Sequence, residues 1–197
     1  MNKIKILVYI IFISILIPLS ANSESNTLNI GDPNAKVVVK VFSSLTCPHC
    51  ANFHLEIFEK LKKEYIDQKI VRFEHHSFPL DLAALNAEII VRCQKDPEKS
   101  FQLLGEIYKK QNQWAVGSDI NSINESIKKI GLENGLKKSK MDACLKNDAN
   151  QDQILNERIQ AQKDYEIQST PTIYVNEKKF EKKHEYDEFK KAIEKLL

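Results

Sequence analysis

The sequence lacks most of the features that assign a chain quickly. It has no charge bias: 29 Lys and Arg face 27 Asp and Glu in 197 residues, a formal net charge of +2. That is too small to argue for a nucleic acid or an anionic membrane surface as partner. There is no internal repeat and no low-complexity segment. The long apolar run, Ile6 to Leu19, falls short of the roughly 20 residues that span a bilayer. No cysteine closes that run, which argues against a lipoprotein. Of the four cysteines, Cys47, Cys50, Cys93 and Cys144, one pair is closely spaced. His75 and His76 would point to opposite faces of a strand. The four-ligand set of a structural zinc site is therefore missing, and no metal or other cofactor is expected.

What is present begins with the amino terminus. Lys3 and Lys5 precede the apolar run, and Ala21-Asn22-Ser23 places small residues where a signal peptidase reads them. Residues 1–23 thus read as a cleavable signal peptide, with an uncleaved membrane anchor as the alternative. On either reading the rest is exported, and a periplasmic location is expected. An even cysteine count in an oxidising compartment favours disulfides.

Val37 to Phe42 is β-branched and almost continuously apolar, as in a strand buried on both faces. From Pro48 the period becomes helical, through Cys50, Phe53, Ile57, Leu61 and Tyr65. Lys69 to Phe78 reads as a second strand. Helical stripes then follow at Leu82–Cys93, Phe101–Tyr108 and Ile120–Ile130, with a short piece at Met141–Leu145. A helix from about Asp152 to Tyr165 leads to a strand at Thr172–Val175, a weak edge strand in "EKKF" and a closing helix with Tyr186, Phe189 and Ile193. The order predicts an α/β unit, residues 28–80 and 151–197, interrupted by an all-helical insertion, 81–150.

The chemistry sits in "LTCPHCANFH", Leu45 to His54. A bridge between Cys47 and Cys50 closes too short a loop to stabilise the fold much. Redox exchange suits the positions better. Cys47 stands where a buried strand meets a helix start, and there free N–H groups and the helix dipole favour a thiolate. Pro48 fits the first helical turn, where its missing N–H is no loss. Cys50 lies on the apolar stripe and should be buried. An exposed nucleophile and a buried resolving thiol are what thiol–disulfide exchange requires. His49, as donor or imidazolium, would favour the thiolate further; its bland reading is a solvated helix-start residue.

"CPHC" after a strand in an exported chain, with "TPT" before a late strand, resembles the DsbA family of thioredoxin-fold disulfide oxidoreductases. "SLTCPHCANFH", "FPLD" and "QWA" are similar to DsbA-like proteins of alphaproteobacteria, and the likeness covers about 28–197. It implies a thioredoxin fold with a helical insertion. It also implies a cis Pro171 against the cysteine pair, with the Thr170 backbone pairing an extended substrate segment; a trans proline opening a strand is the bland alternative. The DsbA-like proteins of alphaproteobacteria carry a second cysteine pair, so the resemblance implies a structural disulfide between Cys93 and Cys144, although buried free thiols would give the same stripe pattern. Three positions depart from the family pattern. Val41 stands six residues ahead of Cys47, where an acid is usual; Ser169 replaces a glycine; and "NEKKFEKKH" lacks the glycines expected at the last hairpin. The hairpin is therefore expected to be distorted, and no proton acceptor for Cys50 is identifiable.

The expected function is an exported dithiol oxidase that hands its Cys47–Cys50 disulfide to newly translocated, cysteine-containing proteins. The resemblance implies recycling by a membrane quinone-linked oxidase of the DsbB kind. An isomerase or reductase of the same fold is the enzyme alternative. The short segment between Ser23 and the first strand leaves no room for a dimerisation domain, so a monomer is expected. A non-catalytic binding module or soft-metal chaperone is the reading from another class.

Overall fold

The computed structural model describes residues 27–197; the expected signal peptide, residues 1–23, lies outside the described residues. A five-stranded mixed sheet forms the centre. Its strands are β1 (Leu28–Ile30), β2 (Val37–Ser43), β3 (Val71–Ser77), β4 (Thr172–Val175) and β5 (Lys178–Lys179), in the order β1-β3-β2-β4-β5. The central strand β2 runs parallel to β3 and antiparallel to β4. Parallel neighbours need a crossover. Here the crossover is one unbroken helical rod: α1 (Pro48–Asn52), a π-helical stretch (Phe53–Phe58), α2 (Glu59–Leu61) and a second π-helical stretch (Lys62–Ile66).

Between β3 and β4 come α3 (Leu82–Arg92), α4 (Pro97–Lys109), α5 (Gln111–Trp114), α6 (Ile120–Glu133), α7 (Lys138–Leu145) and α8 (Asp148–Tyr165); α9 (Tyr186–Glu194) closes the chain. Aspartates or asparagines start most of them. Asp81, Asp96, Asp119 and Asn147 each accept from an early backbone N–H of the helix that follows, which offsets the orphan donors there.

The sheet has two buried faces. Val37, Val39 and Val41 of β2, with Val71 and Phe73 of β3, meet Phe53, Ile57, Phe58, Phe101, Leu104 and Phe189 in the main core. The rings of Phe58 and Phe73 lie 4.6 Å apart, and those of Phe58 and Phe101 5.4 Å apart. On the other face a smaller cluster joins Phe42, Phe78, Ala161 and Ile167. Strand alternation sends Lys40 to that second face too, where its ammonium donates to Tyr165 and pairs with Glu177.

Several boundaries differ from the sequence reading. β1 was not expected; it adds three residues antiparallel to β3, too few to leave a period. The second strand starts two residues late because Lys69 turns the chain at φ 63°. The helix expected from Asp152 begins at Asp148, behind the Asn147 cap. The last hairpin forms without glycine. Asn176 and Glu177 take φ 44° and 62°, the left-handed pair that a two-residue hairpin demands. Asn176 Oδ1 accepts from the Val38 N–H at 2.7 Å, Asn176 Nδ2 donates to the Lys36 carbonyl at 3.1 Å, and Glu177 pairs with Lys40. Those contacts offset the cost of left-handed backbone in residues with a Cβ.

Candidate active site

Cys47 is the extended residue that caps α1: its carbonyl accepts from the N–H groups of Cys50 and Ala51, both at 3.1 Å. The loop ahead of it is tied down from several directions. Cys47 N donates to the Ser44 carbonyl at 3.1 Å, and Thr46 Oγ1 donates to Asp81 Oδ2 at 2.7 Å. Asp81 also caps α3, so one carboxylate anchors both the cysteine loop and the first helix of the insertion. Gln111, buried on α5, donates Nε2 to the carbonyls of Leu45 (2.8 Å) and Cys47 (3.1 Å). Asp81 closes the "FPLD" segment, but neither its role nor that of Gln111 is readable from the sequence. Their partners lie 35 and more than 60 residues away, beyond the reach of a local pattern.

The Thr170–Pro171 bond is cis, and the loop it forms closes over the sulfurs. When protonated, Cys47 Sγ donates to the Thr170 carbonyl at 3.3 Å. The Thr170 hydroxyl is buried and without an ordinary hydrogen-bond partner. Beside this loop a cavity of 230 Å³ is lined by Pro171, Thr172, Lys179, Lys182 and His184, among others.

The two thiols are unequal. Cys47 is held down to about 5: a hydrogen bond from the Cys50 thiol outweighs burial, and Thr170 and the backbone N–H groups of Cys50 and His49 add to it. Cys50 is pushed strongly upward by burial and by its neighbour Cys47. Exposure differs less than the sequence reading expected. Cys47 is not an open nucleophile; it is 8% exposed against 1% for Cys50, because the Thr170–Pro171 loop covers it. His49 is exposed at the first turn and assists the thiolate through its backbone N–H. Pro48 occupies the first helical position.

Farther off, Cys93 follows the end of α3 and is bonded to Cys144 on α7, with Cα atoms 6.2 Å apart. Val41 is buried in β2, in register with His75 of β3. His75 faces inward at 2% exposure, whereas His76 is on the other face beside Glu74. Among the described residues no group of three or more His, Cys, Asp or Glu could hold a metal ion, and no helix is long and apolar enough to cross a membrane.

A low-pKa cysteine at a helix start, a buried thiol one turn on and a cis-proline loop against both make up the dithiol centre of a thioredoxin-like protein. The chain belongs to the thioredoxin family: the family model described as thioredoxin matches residues 23–195. Its likeness within that family is to DsbA-type proteins. Crystalline alpha-DsbA1 of Wolbachia pipientis superposes with a TM-score of 0.80 at 26% identity, over 92% of this chain and 93% of that one. BdbD of Bacillus subtilis gives 0.71 at 25% identity, over 87% and 92%. Disulfide bond formation protein D of Bacillus subtilis (strain 168) is 31% identical over 177 residues, 85% of this chain and 76% of that protein. A relative from Rickettsia prowazekii (strain Madrid E), bearing a protein-disulfide oxidoreductase name, is 29% identical over 174 residues. The match takes in 88% of this chain, which spans 62% of the Rickettsia protein's length.

Proposed function

We propose that the chain is a thiol–disulfide oxidoreductase that donates the Cys47–Cys50 disulfide to cysteine-containing proteins. The observation that carries this reading is the split between the two thiols: Cys47 held down to about 5 and Cys50 pushed up. A stabilised thiolate favours the reduced dithiol, and so makes the disulfide form oxidising. A substrate thiolate attacks Cys47 and displaces Cys50, giving a mixed disulfide. The substrate's second thiol then attacks its own disulfide sulfur, and Cys47 departs as the better leaving group. The Thr170 backbone beside the cis proline would pair an extended substrate segment as an added strand.

The same reading makes residues 28–80 and 151–197 the thioredoxin-like domain, 81–150 its helical insertion, and Cys93–Cys144 a structural bridge within the insertion. It takes the protein to be exported by residues 1–23, to work as a monomer in the periplasm and to be recycled by a membrane quinone-linked oxidase of the DsbB kind. The test is to offer the oxidised protein to a reduced, unfolded substrate with two cysteines, and to measure the equilibrium of Cys47–Cys50 with glutathione. Rapid substrate oxidation supports the reading. A dithiol that stays oxidised against glutathione and only reshuffles mispaired substrate would make the protein an isomerase or reductase instead.

A further inference from the structure

The chain that leaves the last hairpin reads KKFEKKH over residues 178–184. Lys178, Lys179, Lys182 and Lys183 are all exposed. Elsewhere on the surface lysines commonly hold a carboxylate: Lys62 holds Asp67, Lys110 holds Glu133, Lys128 holds Asp142 and Lys191 holds Glu188. Among the described residues none of the four lysines after the hairpin has a carboxylate at ion-pair distance. The nearby acids are committed or outnumbered. Glu177 pairs with Lys40, and Glu188, which also feels the charge of Lys182, is bound to Lys191 at 2.8 Å. That leaves Glu181 and Glu185 against four ammonium groups.

Two of these lysines stand at the reactive centre. The 230 Å³ cavity lies between the cis-proline loop and this segment: Pro171, Ile173 and Phe180 supply its apolar lining, and Lys179, Glu181, Lys182 and His184 its polar lining. Phe180 is fixed there, its ring 4.0 Å from that of Phe189 and its N–H donating to the Ile173 carbonyl at 2.8 Å. The opposite wall is the loop whose Thr170 carbonyl meets Cys47 Sγ at 3.3 Å. A substrate segment laid along the Thr170 backbone therefore passes the cavity beside its own cysteine. At 230 Å³ the space is below the roughly 300–1,000 Å³ of a small-molecule pocket and suits a side chain. His184 rests against Phe53, Phe180 and Phe189. Burial, then the charge of His49, hold its pKa below the ordinary value, so it is neutral at pH 7 and the lysines set the charge of the rim.

We propose that Lys179 and Lys182 form a specificity subsite that selects substrate segments carrying an acidic side chain beside the reacting cysteine. This rests on the thiol-exchange reading above and names its substrate class. The acidic side chain enters the cavity with its methylenes against Phe180 and Pro171 and its carboxylate at the two ammonium groups. The lysines hold the segment while its thiolate attacks Cys47 and displaces Cys50, and their field speeds the encounter. Lysine on an edge strand also deters pairing with other chains, but a charge of either sign serves that role. Selection of acids needs a positive one.

The test offers the oxidised protein three reduced peptides of one sequence with two cysteines, each cysteine flanked by Glu, by Gln or by Lys. Every second-order rate is divided by that of the same peptide with hydroxyethyl disulfide, because a neighbouring charge also shifts the peptide thiol's own pKa. At low salt the native protein should prefer the Glu peptide to the Lys peptide by on the order of tenfold. The preference should shrink toward parity at high salt. Lys179→Glu combined with Lys182→Glu keeps the edge charged and should reverse the order. Lys95→Glu combined with Lys140→Glu makes the same change in net charge beside the Cys93–Cys144 bridge and should keep it. Should the first double variant not fold, Lys182→Gln carries the test by weakening the preference. Equal normalised rates, a preference that salt or the variants at the cavity leave in place, or one that the remote variant abolishes overturns the proposal. A native disulfide that oxidises none of the three peptides would instead overturn the exchange reading.

Discussion

Replacing Cys50 should weaken Cys47 as an acid, because the largest influence holding its thiolate is the hydrogen bond from the Cys50 thiol. A hydrogen bond to a charged acceptor contributes about 1.5–3 kcal/mol, and each pKa unit corresponds to about 1.4 kcal/mol. Cys50→Ala should therefore raise the Cys47 midpoint from about 5 by roughly one to two units. Cys50→Ser keeps a donor and should raise it by less. The sign of the pH effect follows from the depression itself. The folded value lies below the free-thiol value of about 8.5, so the thiolate's stabilisation of the reduced fold is complete above that value and fades as pH falls toward 5. At pH 7 it amounts to about 2.7 kcal/mol unscreened, and about 2 kcal/mol once water's access to the sulfur is allowed for. That makes the disulfide roughly 40 mV more oxidising than one with an ordinary thiol. The assay is thiolate ultraviolet absorbance against pH, backed by alkylation rates. A Cys47 midpoint near the free value in the native protein, or one that Cys50→Ala leaves in place, refutes the reasoning.

Other perturbations separate neighbouring effects. Cys93→Ser opens a bridge of sequence separation 51; it should cost about 4 kcal/mol by loop-closure entropy in denaturant unfolding, while Cys47 still exchanges. His54 is held down to about 3 by burial against about 6.5 unfolded. It costs nothing above that pH, and as acid is added the unfolded chain gains a proton that the fold refuses. His54→Phe should therefore flatten the loss of stability between about pH 6.5 and 3, where up to 4–5 kcal/mol is at stake, as read from unfolding at stepped pH. Gln111→Ala strips the donor from two buried carbonyls and should lower the unfolding midpoint by the equivalent of about 1–3 kcal/mol. His49→Ala leaves the helpful backbone N–H in place, so the Cys47 titration should barely move; a shift of a full unit would return the role to the imidazole.

The parts of the site that were legible in advance are those written in local period. Cys47 and Cys50 differ because one ends the apolar strand and the other joins the stripe of Phe53, Ile57 and Leu61, and spacing alone shows that. The parts that were not legible depend on register. Whether Val41 has a polar neighbour is decided by its pairing with His75. Whether Glu88 is a surface residue or a buried carboxylate is decided by which side of α3 meets the sheet. A glutamate amid "LNAEIIVR" carries no mark of its burial. The cover over Cys47 was missed for the same reason: it depends on a loop that is distant in sequence. The hairpin at Asn176 forms without the expected glycines because its side-chain amide ties the left-handed turn to β2 and Lys36, a contact that the local sequence does not show.

The contact between Cys47 and Thr170 spans 123 residues, and the whole insertion lies between them. A chain made from its amino end therefore presents both thiols of the CPHC segment, then Cys93, before the loop that covers the first of them exists. Closing so long a loop is slow relative to forming the helices inside it. During that interval Cys47 lacks its Thr170 partner and its cover, and the third cysteine to emerge has no bridge to Cys144. The newborn protein is thus itself a substrate for the kind of chemistry proposed for it. An unpaired Cys93 within reach of the first pair is the mispairing it must avoid, so oxidised refolding should yield a Cys47–Cys93 or Cys50–Cys93 species that reduced refolding does not.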